Sequence, residues 1–168
     1  MFLSIGRILL IGVIATLTMD ILGAILRRAH WVMSLPPGLI GRWVAAVARG
    51  RPIQANIEHA TPVHHEIVIA LLTHYVVGIA FAAVYLSVTL RLGVSPRSAV
   101  AAVTFGLVTC VFPWLLMFPA MGFGLFGSRG PGDTQIFLSS LTGHAAFGIG
   151  LWLGASPHGV ASYGSPTG

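Results

Sequence analysis

Apolar residues run along this chain in four long blocks separated by polar breaks. The first covers about 5–26 and stops at Arg27-Arg28. The second covers about 67–90, between Glu66 and Arg91. The third covers about 98–118, after Gly93-Val94-Ser95-Pro96, and the fourth about 134–153. Each approaches the ~20 residues that a helix needs to cross a bilayer. Backbone groups in hydrocarbon must pair within their own segment, so each block predicts a helix. Gly130-Pro131-Gly132-Asp133 punctuates the start of the fourth, with Asp133 as its expected N-cap. The fold class this predicts is all-α: four transmembrane helices in a bundle.

The connection from Arg27 to Glu66 is too long for a plain loop in a compact domain. Pro36-Pro37 can open a helix over about 38–49. Leu39, Ile40, Trp43, Val44 and Val47 then share one face, and Arg42 and Arg49 lie on another. That pattern predicts one interfacial amphipathic helix, on the membrane surface or capping the bundle. A single transmembrane domain over 1–154 and a Gly/Ser/Pro-rich disordered tail over 155–168 complete the expected organisation.

Small and polar residues recur every three or four positions within the blocks. The stripes are Gly12, Thr16, Asp20, Gly23 and Arg27; Ala70, His74, Gly78 and Ala82; Ala102, Gly106, Thr109 or Cys110, and Pro113; Ser140, His144 and Gly148, with Gly150 and Gly154 as a second small pair. Residues at that spacing share a helix face. Small faces let helices approach closely in lipid, so the stripes point inward. They carry Asp20, His74 and His144 with them. At ~1.5 Å per residue, Asp20 lies about 10 Å from Arg27, His74 about 12 Å from Glu66, and His144 about 16 Å from Asp133. Four sequential spans put those three boundaries on one side, so the three residues fall in one half of the bilayer. Pro113 in that half frees a backbone carbonyl that can join the layer.

An ionisable side chain in hydrocarbon is costly and faces protein or water. Three readings fit this polar layer. In the first, Asp20 bonds an imidazole or Thr109 and the network fixes helix packing. In the second, an Asp–His pair handles protons or ions, although no second carboxylate completes a relay. In the third, His74 and His144 ligate a b-type haem, with Gly78 and Gly148 admitting the porphyrin edge. The first is preferred.

Composition strengthens the membrane reading. Of 168 residues, 55% are hydrophobic and 8% charged, against roughly 25% charged in soluble domains. All nine basic residues are arginine and the net charge is +5. They cluster between the blocks, which suits lipid headgroups and topology rather than nucleic acid. The long connection and the third loop hold Arg27, Arg28, Arg42, Arg49, Arg51 and Arg129, against Arg7, Arg91 and Arg97 opposite. The excess places the long connection in the cytoplasm and the termini outside. Trp31, Trp43, Trp114 and Trp152 fall near span ends, as in an aromatic belt. Arg7 and the following apolar run lack a small-x-small cleavage pattern and read as a retained first helix. Cys110, the lone cysteine, can form no intrachain disulfide.

Glu58, His59, His64, His65 and Glu66 form a second cluster, but their spacing matches no standard zinc motif and Pro62 interrupts it. Glu66 reads as an acid favoured at a helix N-terminus. No G-x-S-x-G, H-E-x-x-H or P-loop occurs. Gly122, Gly124 and Gly127 spell G-x-G-x-x-G after a helix rather than a strand, a chance match. No catalytic residues, resident metal or cofactor are expected.

The run Gly12, Ala15, Thr16, Met19, Asp20 and Arg27-Arg28 resembles the opening of a bacterial integral membrane family, domain of unknown function 2938. The resemblance continues through Gly41-Arg42-Trp43, Arg49-Gly50-Arg51, Glu66, His74-Tyr75, Gly78 and Phe81-Ala82. Pro113, Pro119, Gly122, Gly124, His144, Phe147-Gly148 and Gly150-Leu151 close it, over about 8–154. It departs from the pattern at His64-His65 and at apolar Phe118. The resemblance implies a multi-pass bacterial inner-membrane protein and no particular activity. The function expected is a non-enzymatic membrane protein organised by its Asp/His layer, acting as a small carrier, channel or accessory subunit. Its expected partners are the lipid bilayer and a larger membrane complex or a second copy; the alternative is the haem or redox protein using His74 and His144.

Overall fold

The computed structural model describes residues 4–33, 35–132 and 134–156. Five helices form among them: α1 (Ile5–Arg28), α2 (Pro37–Ala48), α3 (Glu66–Arg91), α4 (Ala99–Ala120) and α5 (Thr134–Ala155). No strand occurs among the described residues. All but α2 are long and apolar enough to cross a membrane. The four spans match the apolar blocks to within a few residues. Asp133, the expected N-cap of α5, lies outside the described residues, as does the expected tail beyond Ser156. Ala155, assigned to the tail, is instead the last, fully buried residue of α5.

α1 packs between α3 and α5, and α5 packs between α1 and α4. The small-residue stripes are the contact lines. Gly12 lies against Ile79, Gly150 against Ala15, and Gly154 against Ile11. Between α4 and α5 glycines on both helices meet backbone. A Cβ on Gly148 would stand 2.7 Å from Ala102 O and from Val103 Cα. Gly106 faces the His144 carbonyl from the other helix. The α3–α4 seam is wider and is filled by rings: Phe81 on Phe112 at 5.0 Å and Tyr85 on Phe105 at 5.3 Å. Ile11, Ala15, Ala82, Leu86, Ala102, Phe147 and Leu151 complete this core.

α4 is not one regular helix. Pro113 has no N–H, so the Thr109 carbonyl loses its usual donor four residues on. The Phe112 N–H takes it instead at 3.1 Å. Among the described residues no polar-layer side chain bonds this carbonyl, where one was expected to. A π-helical turn, Pro113–Met117, follows before the helix resumes. Such turns reopen the hydrogen-bond ladder and re-aim the side chains around them.

A second apolar cluster, Leu39, Ile57, Phe118, Met121 and Phe123, sits at the end of the bundle reached by the long connection. The connection is thus a packed cap. Its strand-like stretch bonds to the end of α4, Gln54 N to Ala120 O at 2.7 Å and Ile57 N to Met121 O at 2.9 Å. Gly122, with φ 89°, lies so close to Ala55 that no side chain fits there. The chance glycine pattern is a seat for this segment. Phe118, the apolar departure from the family pattern, is part of the cap's core.

The face of α2 is also corrected. Its buried residues are Leu39, Gly41, Arg42 and Ala46, while Val47 is exposed. Leu39 and Trp43 of the expected apolar face do pack into the cap core, but Arg42, expected on another face, turns inward with them to meet an acid.

Candidate functional site

Asp20 is placed by the α1–α3 contact. One turn before it, Thr16 packs over Gly78, where any Cβ would collide with the threonine hydroxyl. His74 and Tyr75 lie one turn before Gly78 and Ile79, so both face Asp20. His74 Nε2 stands 3.1 Å from Asp20 Oδ1, and the Tyr75 hydroxyl donates to Oδ2 at 3.0 Å. A carboxylate can only accept, so the shared proton of the first contact belongs to Nε2. Each carboxylate oxygen thus has one donor. The pair is not sealed: its side chains are 35% (His74) and 40% (Asp20) exposed.

His144 makes a different contact. Thr109 Oγ1 lies 2.7 Å from His144 Nδ1 and 2.5 Å from Gly106 O. A hydroxyl has one proton, and a carbonyl can only accept it. Thr109 therefore donates to Gly106 and accepts from Nδ1–H, which fixes the His144 tautomer. One residue on, Cys110 is fully buried, with Sγ 3.9 Å from Ser140 O. The buried Ser140 Oγ and Trp114 Nε1 have no hydrogen-bond partner among the described residues. Trp114 stacks on Phe137 at 4.7 Å.

The three expected residues therefore form two pairs: Asp20 with His74 across α1–α3, and His144 with Thr109 across α4–α5. No hydrogen bond among the described residues joins the two pairs. Iron ligation through His74 Nε2 would have to displace Asp20. Residue patterning missed Tyr75, because it lies one position off the stripe.

The second missed element is an ion-pair clamp. Arg42 Nε and Nη2 reach Glu66 Oε2 and Oε1, each at 3.0 Å, in a two-pronged contact. Arg42 Nη1 donates to the carbonyls of Ile57, Glu58 and Ala60, the last at 2.8 Å. Glu66 also accepts from the Val63 N–H at 3.1 Å. Gly41 admits the α3 backbone at Glu66. This clamp closes the cap onto the start of α3. The rest of the boundary cluster stays outside: Glu58, His59, His64 and His65 are exposed. No group of three or more His, Cys, Asp or Glu converges among the described residues.

A family model described as protein of unknown function (DUF2938) matches residues 9–157. The chain belongs to this family. The DUF2938 match takes in both polar pairs and the clamp, and the family's description states no activity. No curated protein and no solved structure matches the chain.

Proposed function

We propose that this DUF2938 protein is a non-catalytic, multi-pass protein of the bacterial inner membrane that serves as an accessory subunit of a larger membrane assembly. Its polar layer of Asp20, His74 and His144 organises the bundle. The observation that carries this reading is the Asp20–His74–Tyr75 contact. It ties α1 to α3 by two bonds, yet leaves more than a third of Asp20's side chain uncovered at span depth. A half-covered carboxylate facing lipid is costly, so a protein surface is the fitting cover. The glycine-packed α1–α5 and α4–α5 contacts favour a rigid partner over a carrier that must rearrange. The arginine excess on the capped side supports a cytoplasmic cap.

The test is site-directed photocrosslinking in native membranes. Leu17 and Leu71, exposed one turn before Asp20 and His74 on the same flank, carry the probe. Val100, exposed on α4, is the control. The expected result is a discrete protein adduct from Leu17 and Leu71, reduced by Asp20→Asn. Lipid adducts alone from both positions would overturn the accessory role.

A further inference from the structure

At the capped end of the bundle, α1 stops and α5 starts on either side of an open cavity of about 450 Å3. Arg27, His30, Val32, Met33 and Gln135 line it. The side chains of Arg27, His30 and Gln135 make no hydrogen bond or ion pair with any described residue. Three polar side chains with no hydrogen bond or ion pair among the described residues thus border one space, and one of them is an arginine.

The chain builds this arrangement locally. α1 ends in a left-handed turn at His30, φ 59°, closed by the Trp31 N–H on Leu26 O at 3.0 Å. That turn sets His30 beside Arg27. Gly23 leaves room for the Arg27 guanidinium to fold back along α1: its Nη1 would lie 3.3 Å from a Cβ there. Across the cavity, Gln135 sits in the first turn of α5, at the positive end of the helix dipole. Val32, which is buried, and Met33 give the cavity an apolar side.

We propose that this cavity binds the phosphate of a phospholipid headgroup. Arg27 matches two phosphate oxygens with its planar fork. His30 and Gln135 supply further donors, and Val32 with Met33 accept the glycerol end. Depth selects lipid over a free anion. Both framing helices are candidate spans at their ends, which is where headgroups lie. Trp31 beside the cavity is 72% exposed, as interfacial anchors are. Basic pockets between spans on the cytoplasmic side recognise headgroups in this way. The site rests on the membrane reading of the spans and not on the accessory role; a chain without protein partners would still hold the lipid.

The test is native mass spectrometry of the full, delipidated chain titrated with short-chain phosphatidylglycerol. One bound lipid is expected. Arg27→Gln should weaken it about tenfold or more, the scale of a lost charge-assisted contact. Gln135→Ala should weaken it less, and it keeps the charge, so it reads the same site if Arg27→Gln folds poorly. Arg91→Gln, at the other end of the bundle, should leave binding unchanged. Equal binding by wild type and both cavity variants would overturn the proposal. So would inorganic phosphate displacing the lipid at equal concentration, which would make this a free-anion site.

Discussion

The tight α4–α5 approach can be tested with two alanines on one helix. Gly143 and Gly148 both lie within α5 and are buried. Replacing either by alanine gains roughly the same helix propensity, up to ~1 kcal/mol. What the new methyl meets differs. At Gly143 it comes 3.0 Å from the tip of Met19, a flexible side chain that can swing away. At Gly148 it comes 2.7 Å from the backbone of Ala102 and Val103. Ordinary contact begins near 3.4 Å, so the helices must part by 3.4 − 2.7, about 0.7 Å, and neither backbone can turn aside. Overpacking of this kind costs about 1–3 kcal/mol. It would also stretch the 2.7 Å Thr109–His144 bond. Gly143→Ala should therefore be neutral or mildly stabilised, and Gly148→Ala should fall about 1–3 kcal/mol below it. Reversible unfolding in mixed micelles, followed by tryptophan fluorescence, reads the difference. Equal stability of the two variants would refute the close-packing argument.

Removing one half of the clamp with Arg42→Met should loosen the cap and speed tryptic cleavage after Arg49, which is exposed. Arg42→Met combined with Glu66→Met, which leaves no unpaired charge, should restore much of the protection. Thr109→Val keeps the shape but leaves His144 Nδ1–H without an acceptor. A loss of about 1–3 kcal/mol is expected in the same unfolding assay, together with an altered His144 ring signal in the NMR spectrum; an unchanged ring signal would contradict the assigned bond.

The spans were legible because membrane helices are written as long apolar blocks. So were the inward faces: Gly12, Thr16, Gly78, Ala82, Ala102, Gly106, Gly148 and Gly150 are all buried. Periodicity reports which face is small, not which polar atom meets which. Asp20 had two histidines at similar depth to choose from. The choice of His74 follows from Gly78 and Ile79 setting the α1–α3 register. His144 instead meets Thr109, because Gly106 and Gly148 bring α4 against α5 at that height. The Arg42–Glu66 pair joins residues 24 positions apart and runs against the apolar face of α2. No local pattern could reveal it, nor the cap core that Ile57 and Phe123 build from two distant segments of the chain.

The central claim is that the polar layer acts as two separate helix–helix ties. Double-mutant cycles test it most directly, with Asp20→Asn, His74→Phe, Thr109→Val and His144→Phe in the unfolding assay. Asp20 and His74 should couple by about 0.5–1.5 kcal/mol, the scale of interhelical hydrogen bonds in membranes. Thr109 and His144 should couple similarly, and Asp20 with Thr109 by less than about 0.3 kcal/mol, near additivity. No coupling between Asp20 and His74, or equal coupling across all pairs, would contradict the account.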